Sequence, residues 1–464
     1  MRKALVGTVG LGVVVLGVVV LVLLALAIGR GEPADRTVLA PEPSLEPVAS
    51  RSPAAATRGD AGFLSGRVTT MDGTVYQGRL RFGGREEAFW SHTFDGYRDE
   101  NPWGVHLPLP FRLERRRIEL FGSRLAEWKQ RVDLGRPFMA RFGDITRIAR
   151  QGGDLQVKLK SGTVYRLDHY AADDFADGLR VWDAAAGIVD LEERRIRLID
   201  LFPIDSPVAI PERLFGTVRA ISIEAPARVF TGFIQWNLEQ SVGTDSIKGE
   251  TSEGALSLPF DTIVSIVKES RDSSRVILWD GRELVLSGTR EVGRGNRGVF
   301  VEDPRFGRVL IPWDTFERVD FGSGGSVSGG SGRTYDDYPP GLPLTSTVTT
   351  RDGRRLTGRL VYDLDESETT ETLDASLLGV NYSIPFGRIL SIELPGDDDR
   401  KVWRARVTLE SGEELFLEPN GDLGEGNAGL LIFGDDPEDP SYVPWADVER
   451  IELERSPAEV SPIG

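Results

Sequence analysis

Val348-Thr-Thr-Arg-Asp-Gly353-Arg-Arg-Leu-Thr-Gly358-Arg-Leu360 is the stretch from which the fold can be read. Valine and threonine alternate up to Asp-Gly, and a second apolar-alternating run follows. That pattern specifies two antiparallel strands joined by a tight turn in which glycine supplies the positive φ. Near the N-terminus the same text occurs as Val68-Thr-Thr-Met-Asp-Gly73-Thr-Val-Tyr-Gln-Gly78-Arg-Leu80. A more degenerate version runs from Gly216-Thr-Val218 to Phe230-Thr-Gly232. The shorter string Val-x-x-x-(Asp/Ser)-Gly also ends at Gly162, Gly281 and Gly412. Five hairpins are therefore expected, at Gly73, Gly162, Gly281, Gly353 and Gly412.

A second landmark follows most of the hairpins at a fixed distance; the half that opens at Leu155 departs, carrying Glu192-Glu193 in its place. Leu258-Pro-Phe260 and Ile384-Pro-Phe386 each begin Pro-aromatic-x-x-apolar-x-x-apolar, as do Pro312-Trp313 and Pro444-Trp445. From turn glycine to aromatic is 32 positions for 281 to 313, and 33 for both 353 to 386 and 412 to 445. Proline is tolerated where a strand begins, so these segments open a closing strand. Phe260, Trp313, Phe386 and Trp445 are its core anchors. The spacing implies six half-repeats in three pairs, at 63–202, 214–321 and 344–454. A linker at 203–213 and a Gly/Ser-rich one at 322–343 separate them, and a tail at 455–464 follows. In the first pair the distance from Gly78 to Phe142 is 64, against 28 from Gly232 to Phe260, so it carries an insertion of 36 residues, placed at about 84–138.

The hairpin opening and the final Ile-Pro-Phe-x-x-Ile-x-x-Ile resemble the strand pattern of Sm-like and SH3-like small β-barrels. The resemblance implies an all-β protein of three tandem domains, each of two small-barrel half-repeats. A six-bladed β-propeller is the alternative. The RNA-binding loops of the Sm family are not matched as a set, and RNA binding is not implied.

Composition narrows the function. The chain has 464 residues, with 72 Asp+Glu against 55 Lys+Arg and a net charge of −17, which argues against a nucleic-acid partner. It has no cysteine, which removes disulfides, thiolate nucleophiles and lipoprotein acylation. Residues 4–28 carry no charge and follow Met1-Arg2-Lys3. As a helix this segment would span about 37 Å, enough for a hydrocarbon core of about 30 Å. Residues 1–29 therefore read as a transmembrane anchor, with a cleaved signal peptide as the rival. Residues 30–62, rich in proline and alanine, form a spacer. Either way the body is expected outside the cytoplasmic membrane.

The insertion holds the most individual chemistry. Glu86, Glu87, Phe89, Trp90, His92, Asp95 and Trp103 together suit a carbohydrate or peptide groove. The plainer reading is a loop covering an open barrel edge. Residues 111–132 read as a helix after it. His169 beside Asp168 reads as a solvated loop rather than a metal ligand. The acidic stretch Asp363-Leu-Asp365-Glu366-Ser-Glu368 aligns with Asn237-Leu-Glu239-Gln240; it reads as a solvated face, since calcium-loop spacing is absent. Gly293–Gly298 and Gly424–Gly429 occupy equivalent places and read as turns. No catalytic motif, cofactor site or metal site is expected. The expectation is a non-enzymatic envelope protein that contacts an unknown protein or polysaccharide. Its alternative is a carbohydrate- or polymer-binding protein whose site lies in the insertion.

Overall fold

A computed structural model of the chain describes residues 62–454 except 84–86, 99–100, 108–112, 121–122, 132–135, 169–172, 205–210, 223–224, 323–332, 397–403 and 437. The expected anchor, spacer and tail, with Glu86 and His169, lie outside the described residues. Those residues form an all-β body, with no helix of seven or more residues among them.

The strands fall into three series. The first comprises β1 (Ser65–Thr70), β2 (Val75–Phe82), β3 (Thr93–Arg98), β4 (Leu113–Leu120), β5 (Ser123–Arg131), β6 (Arg136–Arg141), β7 (Ile145–Gln151), β8 (Asp154–Leu159), β9 (Val164–Asp168), β10 (Leu179–Asp183), β11 (Gly187–Leu191) and β12 (Ile196–Leu201). The second comprises β13 (Phe215–Ser222), β14 (Ala225–Trp236), β15 (Ser246–Thr251), β16 (Gly254–Pro259), β17 (Ile263–Lys268), β18 (Ser273–Leu278), β19 (Glu283–Ser287), β20 (Val299–Asp303), β21 (Gly307–Ile311) and β22 (Phe316–Phe321). The third comprises β23 (Thr345–Thr350), β24 (Arg355–Val361), β25 (Thr372–Leu377), β26 (Val380–Pro385), β27 (Ile389–Glu393), β28 (Ala405–Leu409), β29 (Glu414–Leu417), β30 (Leu430–Phe433), β31 (Ser441–Val443) and β32 (Val448–Leu453).

One antiparallel order recurs. The first sheet runs β11-β10-β2-β1-β12-β7-β8-β9 and the third runs β31-β30-β24-β23-β32-β27-β28-β29. The second runs β21-β20-β14-β13-β22-β17-β18-β19-β15-β16 and is extended at β21 by β26-β25 of the third series. None of these sheets closes on itself, which differs from the small barrels expected above, and sheets of eight and twelve strands differ from the four-stranded blades of the propeller alternative. The reason is visible in the pairing. The strand expected to close each half instead pairs with its counterpart from the other half, as in β12·β7, β22·β17 and β32·β27. The sheet thus runs on through both halves.

The five turn glycines all have positive φ, between 82° and 95°. At Asp72 the carboxylate accepts from the Thr70 hydroxyl and the Thr74 amide, and these bonds pull its pKa down to about 2. The second motif glycine is required by close approach. A Cβ at Gly78 would lie 1.9 Å from the carbonyl oxygen of Trp182 on β10, and one at Gly358 would lie 2.2 Å from that of Phe433 on β30. Only hydrogen fits there.

Each series buries an aromatic cluster around the expected anchors. Trp236 meets Phe260, Trp313 and Phe316 with ring centroids 6.4, 6.3 and 5.3 Å away. Tyr362 meets Phe386 and Trp445 at 5.1 and 5.6 Å. Phe82 meets Phe142 at 4.8 Å. Phe260, Trp313, Phe386 and Trp445 are all buried, and truncating any of them would remove about 3–5 kcal/mol.

The insertion differs from its sequence reading in two ways. The 111–132 stretch is not a helix, because β4 and β5 within it pair antiparallel from Leu113↔Arg131 to Leu120↔Ser123. In the sequence, Ile118 and Leu120 alternate as a strand requires. The inserted residues also begin later than residue 84. β3 pairs with β6 as β15 pairs with β16 and β25 with β26, so the extra chain lies between Arg98 and Arg136.

Candidate functional site

The insertion residues expected to line a groove have separate fates. Phe89 and Trp90 are buried, Phe89 against Phe63 and Val242, and Trp90 in the core of the first series. Neither ring presents a face for stacking. His92 and Glu87 are buried together, with Nδ1 2.7 Å from Glu87 Oε2. Around them Ser91 and Arg213 both donate to Glu302 Oε1 at 2.6 Å, and Arg308 lies 3.8 Å from Glu87. Burial alone would raise the pKa of Glu87, but His92 and Arg308 outweigh it and hold the carboxyl below its ordinary range. Arg213 and His92 do the same to Glu302. This network ties the first series to the second. Trp103 is partly buried edge-on to Phe433, 5.8 Å away, and Asp95 is exposed on β3.

The most chemically concentrated place is a cavity of about 280 Å³ between the β3–β6 ribbon and the third series. Arg98, Arg136 and Phe138 line one side; Asp363, Asp365, Glu366, Glu371, Asp374 and Asp422 line the other. Arg98 and Asp365, both more than nine-tenths buried, form an ion pair. Asn101 donates to the Leu364 carbonyl at 2.7 Å, and Tyr165 donates to Glu371 Oε1 at 3.0 Å. Leu107 joins Val361, Leu364 and Leu431 in an apolar cluster beside it.

Most of the carboxylates also organise backbone. Asp422 accepts from the amide of Asp374, Asp363 from that of Ala428, and Glu371 from those of Ser367 and Glu368. The loop starts with two non-glycine residues at positive φ, Asp363 at 49° and Leu364 at 54°. Glu366 Oε2 is enclosed without a hydrogen-bond partner. Burial pushes Asp363 up to about 6 against the pull of the Ala428 amide, and Asp374 up to about 6 against that of the Ser383 hydroxyl. Glu366 is raised well above its ordinary value by burial and then by Asp422, and Asp422 by burial and then by Asp374. Burial thus raises the pKa of these carboxyls beside two guanidinium groups.

Protein-family models, curated proteins and solved structures give no match to this chain.

Chemically, the cavity accepts positive charge, and one guanidinium already occupies that role. Among the described residues no three His, Asp or Glu side chains are arranged to hold a metal ion. Sequence reading found the acidic stretch and its alignment with Asn237–Gln240 but took it for a solvated face, whereas Asp365 and Glu368 are buried; it did not find Arg98, Arg136, Glu371, Asp374 or Asp422. The alignment held a further signal. Extended by eight residues it sets Asp374 against Lys248, and extended to the glycine turns it sets Ala428 against Arg297. Loss of cations on one side of a repeat marks a site whose counter-charge comes from elsewhere.

Proposed function

We propose that the chain is a non-enzymatic, exported envelope scaffold built from three tandem repeats, its body outside the cytoplasmic membrane and anchored through the apolar N-terminal segment. The observation that carries the scaffold part of this reading is the recurring strand order, and the export part rests on the uncharged stretch of residues 4–28. With halves β13–β17 and β18–β22, the second sheet reads as strands four and three of the later half, two and one of the earlier, then the two fifth strands, then the mirror sequence. Such a palindrome is what two five-stranded half-repeats produce when they exchange their third and fourth strands. Exchange makes each pair one cooperative unit. Ion-pair networks at Glu87–His92–Glu302 and Arg98–Asp365 then fix the repeats against one another, which suits a rigid contact surface more than a single catalytic centre.

The test is fractionation of cells that make the full chain. The chain is expected in carbonate-washed membranes, with its body cut by protease added from outside. Recovery of an uncut body in the cytosol overturns the export reading. A soluble form beginning near Ile28 would replace the anchor by a cleaved signal.

One observation favours a second reading, polymer or carbohydrate binding at the insertion: the ribbon it extends walls a carboxylate-lined cavity. The buried Phe89 and Trp90 weigh against it, since sugar recognition relies on exposed aromatic faces.

A further inference from the structure

The junction between the second and third series is made by strand pairing. β21 and β26 continue one sheet, with Arg308↔Ser383, Val309↔Tyr382 and Leu310↔Asn381 opposite each other. Tyr382 is buried there against Phe230 and Phe306 at 6.0 and 5.6 Å. By strand order, β11 is the first-series counterpart of β21, and β16 the second-series counterpart of β26. Both are sheet edges.

Their residues match an interface that is not formed within the chain. Every residue of β16 except Leu258 is exposed, and the strand carries no charge. Leu256, at the place of Tyr382, is 37% exposed; Ile188 of β11, at the place of Arg308, is 62% exposed. The seat for Leu256 also exists, because Tyr76 stands where Phe230 does. The only charge on β11, Asp190, is held by Arg180 through bonds of 2.7 and 2.9 Å. Edges are ordinarily guarded by charge, proline or brevity. β6 has Arg136, Pro137 and Arg141, and β31 has three residues. β16 has no such guard before its terminal proline.

We propose that β11 of one chain pairs with β16 of a second copy, in the register of the β21–β26 junction, so that the body assembles head to tail. The register sets Ile188 opposite Ser257, Val189 opposite Leu256 and Asp190 opposite Ala255. A heterologous contact of this kind builds a ring or an open array. The proposal rests on the scaffold reading and supplies its partner.

The absence of native cysteine makes the test clean. Full-length chains carrying Ile188→Cys or Val189→Cys are mixed in mild detergent with chains carrying Ser257→Cys or Leu256→Cys, then oxidised. Of two adjacent antiparallel pairs one is non-hydrogen-bonded and close enough to bridge. One of the two matched mixtures is expected to cross-link at least about ten-fold more than any single variant or a mixture with Glu283→Cys, whose strand is paired on both sides. Light scattering should show assemblies that Leu256→Lys reduces to single chains. Equal cross-linking in all mixtures, cross-linking of a single variant with itself, or a monomeric unsubstituted chain overturns the proposal. None of these results touches the fractionation outcome, so the two readings fail separately.

Discussion

The loops at Asn237–Gln240 and Asp363–Glu366 have one backbone and opposite electrostatics. Each begins with two residues at positive φ, 53° and 55° in the first and 49° and 54° in the second. Each is closed by the same bridge, Trp236↔Gln240 or Tyr362↔Glu366. Beside each lies an asparagine that caps the following turn, Asn296 or Asn427, bonded 2.8 Å to the amide two residues on. In the second series Glu239 pairs with Arg290 and Arg297 of its own series. In the third, Gly421 and Ala428 stand at those places, and the cation reaching Asp365 is Arg98 of the first series. A repeat that neutralises its own acid is locally self-sufficient. One that borrows its cation depends on a neighbour, and the two then stand or fall together.

The largest expected effect tests that dependence. Arg98→Ala leaves Asp365 buried without its cation, and breaking a buried pair from one side costs about 3–5 kcal/mol. Arg297→Ala should cost about 1 kcal/mol or less, because Arg297 is 38% exposed and Arg290 still holds Glu239. Denaturant unfolding of the full chain, followed by tryptophan fluorescence, measures both. Equal losses would break the comparison.

A smaller effect comes from pH. Asp363 and Asp374 titrate near 6 in the folded protein against an ordinary value of 3.8. Between those values the folded state holds more protons than the unfolded one, so their contribution to stability falls as pH rises from about 4 to 6 and stays low above it. Glu87 and Glu302 work in the other direction, and their contribution is lost on acidification through and below the ordinary carboxylate range. The acid pair is isolated by difference. Asp363→Asn/Asp374→Asn, which keeps an acceptor oxygen at both positions, should match the unsubstituted chain near pH 4. It should exceed it by about 1–2 kcal/mol at pH 7.5. Thermal unfolding across that range checks it, and a constant difference would mean that the cavity acids are not strained by ionisation.

What could be read in the sequence divides along physical lines. Turn glycines and core aromatics were legible because each follows a local rule: a positive φ at Gly353 and a burial pattern at Phe386. The 111–132 stretch misled because Ile118, Leu125 and Trp128 satisfy helical spacing, while the hairpin depends on pairing that composition does not encode. Strand exchange was illegible for a deeper reason. Two halves with the same pattern offer β14 two near-identical third strands, β15 and β20, and the sequence pattern fits both. At the cavity the acidic loop was visible as a run of like charge. Its cation was not, because Arg98 and Asp365 are 267 positions apart (365 − 98) and meet only through the ribbon.

The smallest expected effect is the sharpest test of the comparison: returning the missing cation. Ala428→Arg places in the third series the residue that the second has at Arg297, whose guanidinium reaches Glu239 Oε1 at 3.1 Å and the Asn237 carbonyl at 3.1 Å. The backbone there is already equivalent, since the amide of Ala428 bonds Asp363 as that of Arg297 bonds Asn237. In the unsubstituted chain Arg98 already satisfies Asp365, so the added arginine meets a largely neutralised site. It also displaces a methyl group that packs beside Leu107 and Leu364. The net change should be within about 0.5 kcal/mol of zero. With Arg98→Ala the same substitution supplies a replacement charge beside Arg136, the other cation lining the cavity, and recovery of about 1 kcal/mol or more is expected, a coupling that a double-mutant cycle isolates. If Ala428→Arg has the same small effect with and without Arg98, the two positions are not alternative sources of one cation. The likeness between the loops would then be one of backbone alone.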